Sequence, residues 1–270
     1  MPSVPDPDTA LLDLAVDLAT RAGELLARGL GRARTAVATK SSPTDMVSDM
    51  DRAAEDLVVQ GLARSRPGDG VLGEEGADTA GTTGVRWVVD PLDGTTNYLY
   101  GLPAFAVSIA AERDGRPTLG VVHDPNRSET FTALSGRGAW LNGNRLRRAV
   151  APSLDRALIG TGFGYDPGRR RAQAALLPTV LPAVRDIRRV GSAAIDLCWV
   201  GAGRLDAFYE AGLRPWDRAA GALVAAESGA TVEDLDGAPD LPPLLVAAAP
   251  GLGPDLAALL RCALAAGPTS

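Results

Sequence analysis

The chain has 270 residues, of which 46% are hydrophobic and 22% charged, with a formal net charge of −6. This composition is typical of a globular protein with one large domain or two closely joined halves, and the acidic balance argues against non-specific nucleic-acid binding. No apolar run reaches the about 18 residues of a membrane-spanning helix, and the N-terminus lacks a secretory pattern, so we expect a cytoplasmic protein without membrane association.

Residues 1–150 predict an α+β half. Apolar residues at helical spacing predict one helix from Thr9 to about Gly31 and a second from Met50 to Pro67-Gly68. Apolar runs then predict strands in "GVLG" and "GVRWVVD", with a turn at "GTTN". A predicted hairpin in "FAVSIAAERDGRPTLGVVHDP" and further strands in "ETFTALSGRGAWLNGNRLR" extend an antiparallel sheet.

Residues 151–270 predict an α/β half, joined to 1–150 in one compact unit, because strands and helices alternate there. The predicted order is a strand in "RALIGTGF", a helix from about Gly168 to Val184, a strand, glycine turn, helix and strand in "IRRVGSAAIDLCWVGAGRLDAFYE", a helix in "PWDRAAGALVAAESGA", a strand in "LLVAAAP" and a final helix in "GPDLAALLRCALAAG". Cys198 and Cys262 lie in apolar helical segments, so we expect two buried thiols. We expect the short arginine clusters at 169–171 and 185–189 on a solvated surface.

Carboxylates recur where predicted strands end or helices begin: Glu74, Glu75, Asp90, Asp93 and Asp217. Such element ends commonly open onto one cleft. Several unpaired carboxylates in one cleft repel one another unless a hard cation lies between them, and magnesium prefers oxygen ligands. A lone aspartate in a D-G turn is most often a turn former, but the set as a whole predicts a metal site.

The turn "GTT" directly follows Asp93, and its amides and hydroxyls are suited to bind an anion. Metal-binding carboxylates beside such a turn suggest metal-assisted phosphoryl transfer to water. Pro91 and Leu92 separate the two aspartates, so the spacing does not match an EF-hand or the D-x-D-G-T of aspartyl phosphatases, and G-K-[ST] of a P-loop is absent. The only histidine, His123, lies in a predicted hairpin strand, where we expect a structural role. Water is therefore the expected nucleophile.

The motifs together resemble the inositol monophosphatase family. "WVVDPLDGTTNYLYGLPAFAVSIA" is similar to its first signature and "WDRAAGALVAAESGA" to its second, and "KSSPTDMVSDMD" and "LGEEG" match its N-terminal loop and first metal glutamate. The resemblance covers nearly the whole chain, and "GTGFGY" with "RDIRRVGSAAIDLCWVGAGRLDAFYEAG" looks most like actinobacterial members. It implies a layered αβαβα sandwich of the sugar-phosphatase type, shared with fructose-1,6-bisphosphatases, and a homodimer.

The resemblance also implies a ligand set for two to three Mg²⁺ ions. Glu74, Asp90 and the Leu92 carbonyl would bind the first ion, and Asp90, Asp93 and Asp217 the second, with Glu74 helping a weaker third. Members of the family with this motif are inhibited by lithium, so the resemblance implies lithium sensitivity here.

Further roles carry over from the family motif. Thr95 and Asp51 would orient the attacking water, and the Gly94 and Thr95 amides would hold the phosphate. Glu75 would support the metal site from outside the ligand set, and Lys40 would approach it from the N-terminal loop.

The substrate hydroxyls would contact Gly191, Ser192, Ala193, Ala194 and Glu210. The leading hypothesis is hydrolysis of myo-inositol 1-phosphate to myo-inositol and phosphate. Histidinol phosphate, fructose 1,6-bisphosphate or another sugar or alcohol phosphate remain alternative substrates. A non-catalytic regulatory protein on the same fold is the alternative class.

Overall fold

The structure is a computed structural model that describes residues 7–30, 37–39 and 46–266. Within these ranges the helices are α1 Pro7–Gly29, α2 Asp49–Ser65, α3 Thr95–Tyr100, α4 Pro167–Ala174, α5 Leu177–Val180, α6 Ala193–Ala202, α7 Pro215–Ser228 and α8 Gly253–Ala266, with short 3-10 turns at Leu154–Arg156 and Leu181–Ala183. None of the described helices is both long and apolar enough to cross a membrane.

The strands form three sheets. They are β1 Val37–Thr39, β2 Met46–Ser48, β3 Gly70–Gly73, β4 Asp78–Thr79, β5 Val85–Asp93, β6 Ala106–Arg113, β7 Arg116–Asp124, β8 Glu129–Leu134, β9 Gly138–Leu141, β10 Asn144–Arg145, β11 Leu158–Thr161, β12 Asp186–Arg188, β13 Ala207–Ala211, β14 Thr231–Leu235 and β15 Leu244–Ala248. β1 pairs with β2. An eight-stranded sheet has the order β10-β9-β8-β7-β6-β5-β3-β4, and a five-stranded sheet has the order β12-β11-β13-β15-β14. The chain changes sheet between β10 and β11.

The elements stack as an αβαβα sandwich, which confirms the predicted fold. Helices α1 and α2 pack on one face of the eight-stranded sheet, and α6 and α7 pack on its other face. The five-stranded sheet covers the far side of α6 and α7, while α5 and α8 cover its outer face.

The central helical layer is apolar on both sides because it faces a sheet in each direction. In α6, Ile195 and Cys198 pack with the eight-stranded sheet, whereas Leu197 and Val200 pack with the five-stranded sheet. A helix that is apolar all round its circumference is suited to such a buried position. The two halves therefore share one buried layer, and the helices of this layer, α6 and α7, carry residues of the site.

The structure corrects two sequence expectations and adds one strand that the sequence does not predict. The helix predicted from about Gly168 to Val184 is divided into α4, α5 and a 3-10 turn, because Pro178 and Pro182 lack an amide donor and restrict the residue before them. Strand β14 was not predicted; its charged, mostly exposed residues are typical of a sheet edge. Cys198 is buried as expected, but Cys262 is exposed on α8.

Strand β5 contains the irregularity that shapes the site. Its pairing with β6 joins Asp90 to Ser108 and Asp93 to Ala106, so three steps along β5 match two along β6. Side chains alternate along a regular strand, and residues three apart would point to opposite faces. The bulge adds one residue, here in the Pro91-Leu92 segment, and lets both aspartates turn to the same side.

Candidate active site

A pocket of about 460 Å³ lies where β5 ends, between the segment after β11 and the starts of α6 and α7. Its walls include Glu74, Asp93, Glu210 and Asp217, which come from both halves of the sequence. Carboxylates therefore dominate its polar lining, as the predicted element ends suggested.

Asp90 and Asp93 are fixed by different contacts. Asp90 is buried, and its Oδ1 accepts a hydrogen bond from the Leu92 amide at 3.0 Å. The side chain of Asp93 contacts the C-terminal half of the chain. Its Oδ2 accepts hydrogen bonds from Ser192 Oγ at 2.6 Å and from the Ala194 amide at 2.7 Å. Burial raises the pKa of Asp93 although these donors and Arg189 act against the rise.

Glu74 is positioned by its loop and by the neighbouring strand. β3 pairs in parallel with β5, with Gly73 opposite Val89, and the Glu74 amide donates to the Val89 carbonyl at 3.1 Å. The same register continued by one residue places Glu74 beside Asp90. A short loop after β3 thus brings the glutamate to the end of the aspartate strand.

Glu55 on α2 holds this loop, and the sequence reasoning did not identify it. Its carboxylate accepts hydrogen bonds from the Glu75 amide at 2.8 Å and the Ala77 amide at 3.0 Å. Gly73 leaves room for this contact, because a Cβ there would displace the Glu55 carboxylate. Its position in an amphipathic helix gave no signal, since a glutamate there is normally solvated.

Asp217 lies in the first turn of α7 and is partly buried. Its Oδ2 accepts a hydrogen bond from the Arg214 amide at 2.6 Å. Burial and the charge of Asp93 raise its pKa well above the ordinary value, and the Arg214 hydrogen bond only partly opposes this. Asp217 therefore belongs to the same electrostatic group as the aspartates of β5.

The donor set consists of carboxylate oxygens, which are the ligands that a hard divalent cation prefers. Burial raises the pKa of Asp90 well above its usual range, and the charges of Glu74, Asp93, Asp217 and Asp51 raise it further. Among the described residues, no group of three or more acidic, histidine or cysteine side chains is arranged so that it could already hold a metal ion. Glu74, Asp93 and Asp217 nevertheless line one pocket, where a cation would offset the repulsion between them.

Thr95 and Asp51 form the second part of the site. Thr95 Oγ1 lies 3.0 Å from the Leu92 carbonyl oxygen and 3.4 Å from Asp51 Oδ2, and Asp51 is fully buried in the first turn of α2. One hydroxyl proton can be donated to only one of these acceptors at a time. When it is donated to Asp51, the hydroxyl oxygen is free to accept a hydrogen bond from another donor.

Gly94 connects this part to the other half. Its φ of 99° lies in the left-handed region, and a Cβ there would lie 2.8 Å from the Ala104 carbonyl oxygen and 3.3 Å from the Gly191 carbonyl oxygen. Asn97 reinforces the junction, because its Nδ2 donates to the carbonyls of Ala104 at 2.7 Å and Val190 at 2.9 Å. Asn97 was not predicted, although it stands in the "GTTN" turn.

A sequence profile of the inositol monophosphatase family matches residues 8–265. The chain belongs to the inositol monophosphatase family. The inositol-1-monophosphatase of Mycobacterium leprae, an actinobacterium, is 46% identical over 280 residues, covering 96% of each chain. The Nus factor SuhB of Escherichia coli K12 is 42% identical over 229 residues, covering 84% of this chain and 86% of the other. The crystal structure of the extragenic suppressor protein suhB from Bartonella henselae superposes with a TM-score of 0.86 at 38% identity, covering 93% of this chain and 98% of that one.

Membership confirms the recognised resemblance and supports a hydrolase of phosphomonoesters, in a family that is generally metal-dependent. The roles of the individual residues remain predictions. Most of these residues lie in the described part of the chain. Lys40 lies outside the described residues. Glu75 is partly buried beside Glu74, with its amide bound to Glu55.

The residues that family resemblance assigns to substrate hydroxyls divide into two groups. Gly191, Ser192, Ala193 and Glu210 line the pocket. Ala194 is fully buried, and its amide is directed at Asp93. Ser192, likewise, donates to Asp93, so this turn supports the predicted metal ligand as well as forming a pocket wall.

Glu210 lies beside Gly162, in the continuation of the parallel pairing of β11 and β13. A Cβ on Gly162 would collide with the Glu210 carboxylate. Burial raises the pKa of Glu210 to about 7, with Arg189 opposing the rise and Asp93 adding to it. Near neutral pH this side chain can therefore both accept and donate hydrogen bonds.

The sequence reasoning missed three further pocket residues in this family member. Asp196 is buried, and its Oδ1 has no hydrogen-bond partner among the described residues; burial raises its pKa well above the usual range. Arg169 and Arg189 also line the pocket. Both belong to clusters that we expected on a solvated surface; Arg189 is exposed as expected, whereas Arg169 is partly buried, so the expectation is wrong for Arg169. His123 does not line the pocket; it packs near α1, and its Nδ1 lies 2.9 Å from Thr130 Oγ1.

Proposed function

We propose that the chain is a Mg²⁺-dependent phosphatase that converts myo-inositol 1-phosphate and water to myo-inositol and phosphate. The observation that carries this proposal is that Glu74, Asp93 and Asp217 line one pocket at the end of β5, with Asp90 on the same strand and the Thr95–Asp51 pair directly after it. The first group supplies oxygen ligands for a hard cation, and the second supplies a hydroxyl backed by a buried carboxylate. This combination is suited to phosphoryl transfer to water.

Mg²⁺ bound by these carboxylates would lower the pKa of water and offset charge on the phosphate and the leaving oxygen. The chain's own residues bind the phosphate and orient the attacking water. The Gly94 and Thr95 amides bind phosphate oxygens, and Thr95 Oγ1 accepts a hydrogen bond from the attacking water while donating to Asp51. Asp93 and Asp217 lie on the side of the pocket formed by α6 and α7. The leaving group binds on this side.

Hydrolysis should be tested on a panel of phosphomonoesters with and without Mg²⁺. Inositol 1-phosphate, histidinol phosphate and fructose 1,6-bisphosphate represent the leading substrate and its two named alternatives, compared by kcat/KM. Preference for inositol 1-phosphate supports the substrate assignment, and preference for another ester replaces it. The Escherichia coli relative carries the name of a Nus factor, which favours a regulatory protein as the second candidate. Absence of phosphate release from every ester in Mg²⁺ would favour that candidate.

Glu210→Gln should lower kcat/KM for inositol 1-phosphate by roughly tenfold or more. The carboxylate accepts hydrogen bonds from polyol hydroxyls, and losing such contacts leaves polar groups unpaired at a cost of about 1–3 kcal/mol. p-Nitrophenyl phosphate has no vicinal hydroxyls, so its hydrolysis should change much less. Equal loss on both substrates would show that Glu210 does not recognise the polyol.

Mg²⁺ should stabilise the protein more at about pH 8 than at about pH 5. Asp90, Asp217 and Glu210 have raised pKa values in the fold, whereas unfolded carboxyls titrate near about pH 4. The folded chain thus binds more protons between these values, and the stability contribution of the neutral carboxyls is lost as pH rises. Melting curves in EDTA should show Tm falling over this range, and Mg²⁺ should restore it most at the higher pH. A Mg²⁺-induced rise in Tm that is independent of pH would contradict this.

Lithium should inhibit phosphate release at millimolar concentration, as the family motif implies. The expected site of action is the ligand set that includes Asp93 and Asp217. Activity measured across a lithium series, with potassium as the ionic-strength control, checks this. Identical activity in both salts would show that the property does not carry over.

We further propose that the protein is cytoplasmic and homodimeric.

A further inference from the structure

Asp196 is a buried acidic residue on the wall of the site pocket. It lies in the first turn of α6 and is 1% exposed, and its Oδ1 has no hydrogen-bond partner in the described part of the chain. The helix does not depend on it as a cap, because Ser192 Oγ accepts a hydrogen bond from the Ile195 amide at 3.3 Å. A buried polar group without a partner is costly to the fold, so its place beside a pocket indicates a partner on a ligand.

The surroundings of the Asp196 carboxyl group are apolar. A Cβ placed on Gly160 would lie 3.0 Å from Asp196 Oδ1, 2.8 Å from Leu205 Cδ1 and 3.1 Å from Phe208 Cδ2, so the carboxyl oxygen and two hydrocarbon side chains meet at this glycine. Neither of these side chains can donate a hydrogen bond. Such a setting disfavours the charged carboxylate.

The protonated form of Asp196 is therefore favoured. Burial raises the pKa of Asp196 well above its ordinary value, the charges of Glu210 and Asp93 raise it further, and Arg189 opposes only part of the rise. A protonated carboxyl group has one O–H donor, whereas a carboxylate can only accept. The pocket wall thus presents a hydrogen-bond donor at Asp196.

The carboxyl groups of Asp196 and Glu210 are neighbours along β11 and its continuation. Asp196 packs at Gly160, and Glu210 packs at Gly162, where a Cβ would collide with its carboxylate. Residues two apart in an extended strand lie on the same face, about 7 Å apart, and both acidic residues line the pocket. Two hydrogen bonds in series span about 5–6 Å, so one hydroxyl group placed between the two carboxyl groups can contact both.

We propose that Asp196 is a specificity-determining residue whose carboxyl O–H donates a hydrogen bond to the substrate hydroxyl that itself donates to Glu210. The inference rests on the proposed phosphatase function and assigns a second hydroxyl-binding residue to the same pocket. A hydroxyl group both donates and accepts, so this pair of side chains satisfies it. An alkyl leaving group would leave both side chains unpaired, which selects against it.

Glycerol 2-phosphate and isopropyl phosphate form a matched pair for the test, because they share one carbon skeleton and differ only in the two hydroxyls of the leaving group. At fixed free Mg²⁺, we expect kcat/KM of the unmodified protein to be about tenfold higher for glycerol 2-phosphate. The ratio of the two values cancels any general effect on metal or phosphate binding. A ratio near one would overturn the proposed recognition.

Substitutions of Asp196 separate its donor from its charge and its size. Asp196→Asn keeps an N–H donor and should keep the ratio within about twofold, whereas Asp196→Leu removes the donor and should lower the ratio by at least about fivefold. Asp196→Ala removes the donor without adding bulk and should show the same loss. A ratio retained in the leucine and alanine variants, or lost equally in the asparagine variant, would overturn the donor role.

A structural role for Asp196 predicts a different result. An acid in the first turn of a helix can stabilise the helix through its charge, in which case all three variants would lower the Tm and affect both esters alike. We expect instead that the Tm of Asp196→Leu in EDTA equals or exceeds that of the unmodified protein, because an apolar side chain replaces an unpartnered polar one. A lower Tm with an unchanged ratio would assign Asp196 to helix stability and overturn the proposal.

A double variant tests whether Asp196 and Glu210 contact the same hydroxyl. If they do, Asp196→Leu/Glu210→Gln should lower the ratio by little more than the larger of the two single losses, since the first substitution already breaks the shared contact. Losses that multiply would assign the two side chains to separate hydroxyls and overturn the shared contact.

A binding measurement separates this inference from the proposed catalysis. Calorimetric titration in Mg²⁺ of Thr95→Ala protein, which lacks the hydroxyl assigned to orienting water, should show tighter binding of glycerol 2-phosphate than of isopropyl phosphate. Adding Asp196→Leu should remove most of this difference. That binding pattern without hydrolysis of either ester by the unmodified protein would retain the role of Asp196 and reject the phosphatase. Hydrolysis of both esters without the binding difference would reject the role of Asp196 alone.

Discussion

Asp93→Asn should weaken Mg²⁺ binding and phosphate release by about 100-fold or more, since even residues outside the metal's direct ligands typically contribute about 10–100-fold. The expected size follows from how Asp93 is held. Its Oδ2 accepts two hydrogen bonds, from Ser192 and from the Ala194 amide. In an asparagine, the carbonyl oxygen must take this position, because an NH₂ group cannot accept from either donor. The NH₂ group is then turned to the side that the second oxygen occupied, where it repels a cation.

Calorimetric titration with Mg²⁺ and a phosphate-release assay measure the two effects independently. Asp155→Asn is a suitable control because it makes the same chemical change at an exposed position. The Tm of the Asp93→Asn protein in EDTA should be equal to or above that of the unmodified protein, since a buried charge with a raised pKa is removed. Normal turnover of Asp93→Asn at low Mg²⁺ would remove Asp93 from the ligand set.

The layer order could be predicted because its signals are local and repeated. The apolar periods of α1 and α2, the alternation in β6 to β8 and the strand–helix alternation after residue 150 each specify a buried face. The break between α4 and α5 could also have been predicted, because prolines give a direct chemical signal. Strand β14 was harder, since its pairing with β15 depends on a tertiary neighbour.

The sequence predicts which carboxylate residues belong to the site, but not how they are arranged. Asp90 and Asp93 were recognised together, yet their common direction depends on a bulge that is defined by the pairing with β6. Glu55 and Asp196 look like ordinary helical residues until the fold places Gly73 and Gly160 against their carboxylates. The packing of such a carboxylate against a glycine is a contact between distant segments, and a single sequence does not reveal it.

The two pocket arginines illustrate the same limit. A cluster of arginines in a chain is usually solvated, and neither Arg169 nor Arg189 stands in a motif that specifies a ligand. They line the pocket because Arg169 lies along Gly164 and Arg189 reaches the Phe163 carbonyl, and the position of this segment depends on the pairing of β11 with β12 and β13. Composition and spacing therefore indicate the predicted metal ligands, whereas the arginines on the other side of the pocket are identified only from the folded structure.

Thr95→Ala should lower kcat by about 100- to 1000-fold with little change in KM. Thr95 Oγ1 lies 3.4 Å from the buried Asp51 carboxylate and 3.0 Å from the Leu92 carbonyl oxygen, and it can donate its proton to either acceptor. In the proposed reaction the hydroxyl orients the attacking water and donates to Asp51, and both contacts matter most in the transition state. Substrate binding through the Thr95 amide does not need the side chain, so KM should be largely preserved.

Two further variants distinguish an orienting hydroxyl from a plain phosphate ligand. Thr95→Ser keeps the hydroxyl and should retain most of the turnover. Asp51→Asn should reduce kcat, and the Thr95→Ala/Asp51→Asn double variant should lose far less than the product of the two single losses, because both act in one relay. A Thr95→Ala protein with unchanged kcat and raised KM, or strictly multiplicative losses, would instead assign Thr95 to phosphate binding and leave Asp51 with a separate structural role.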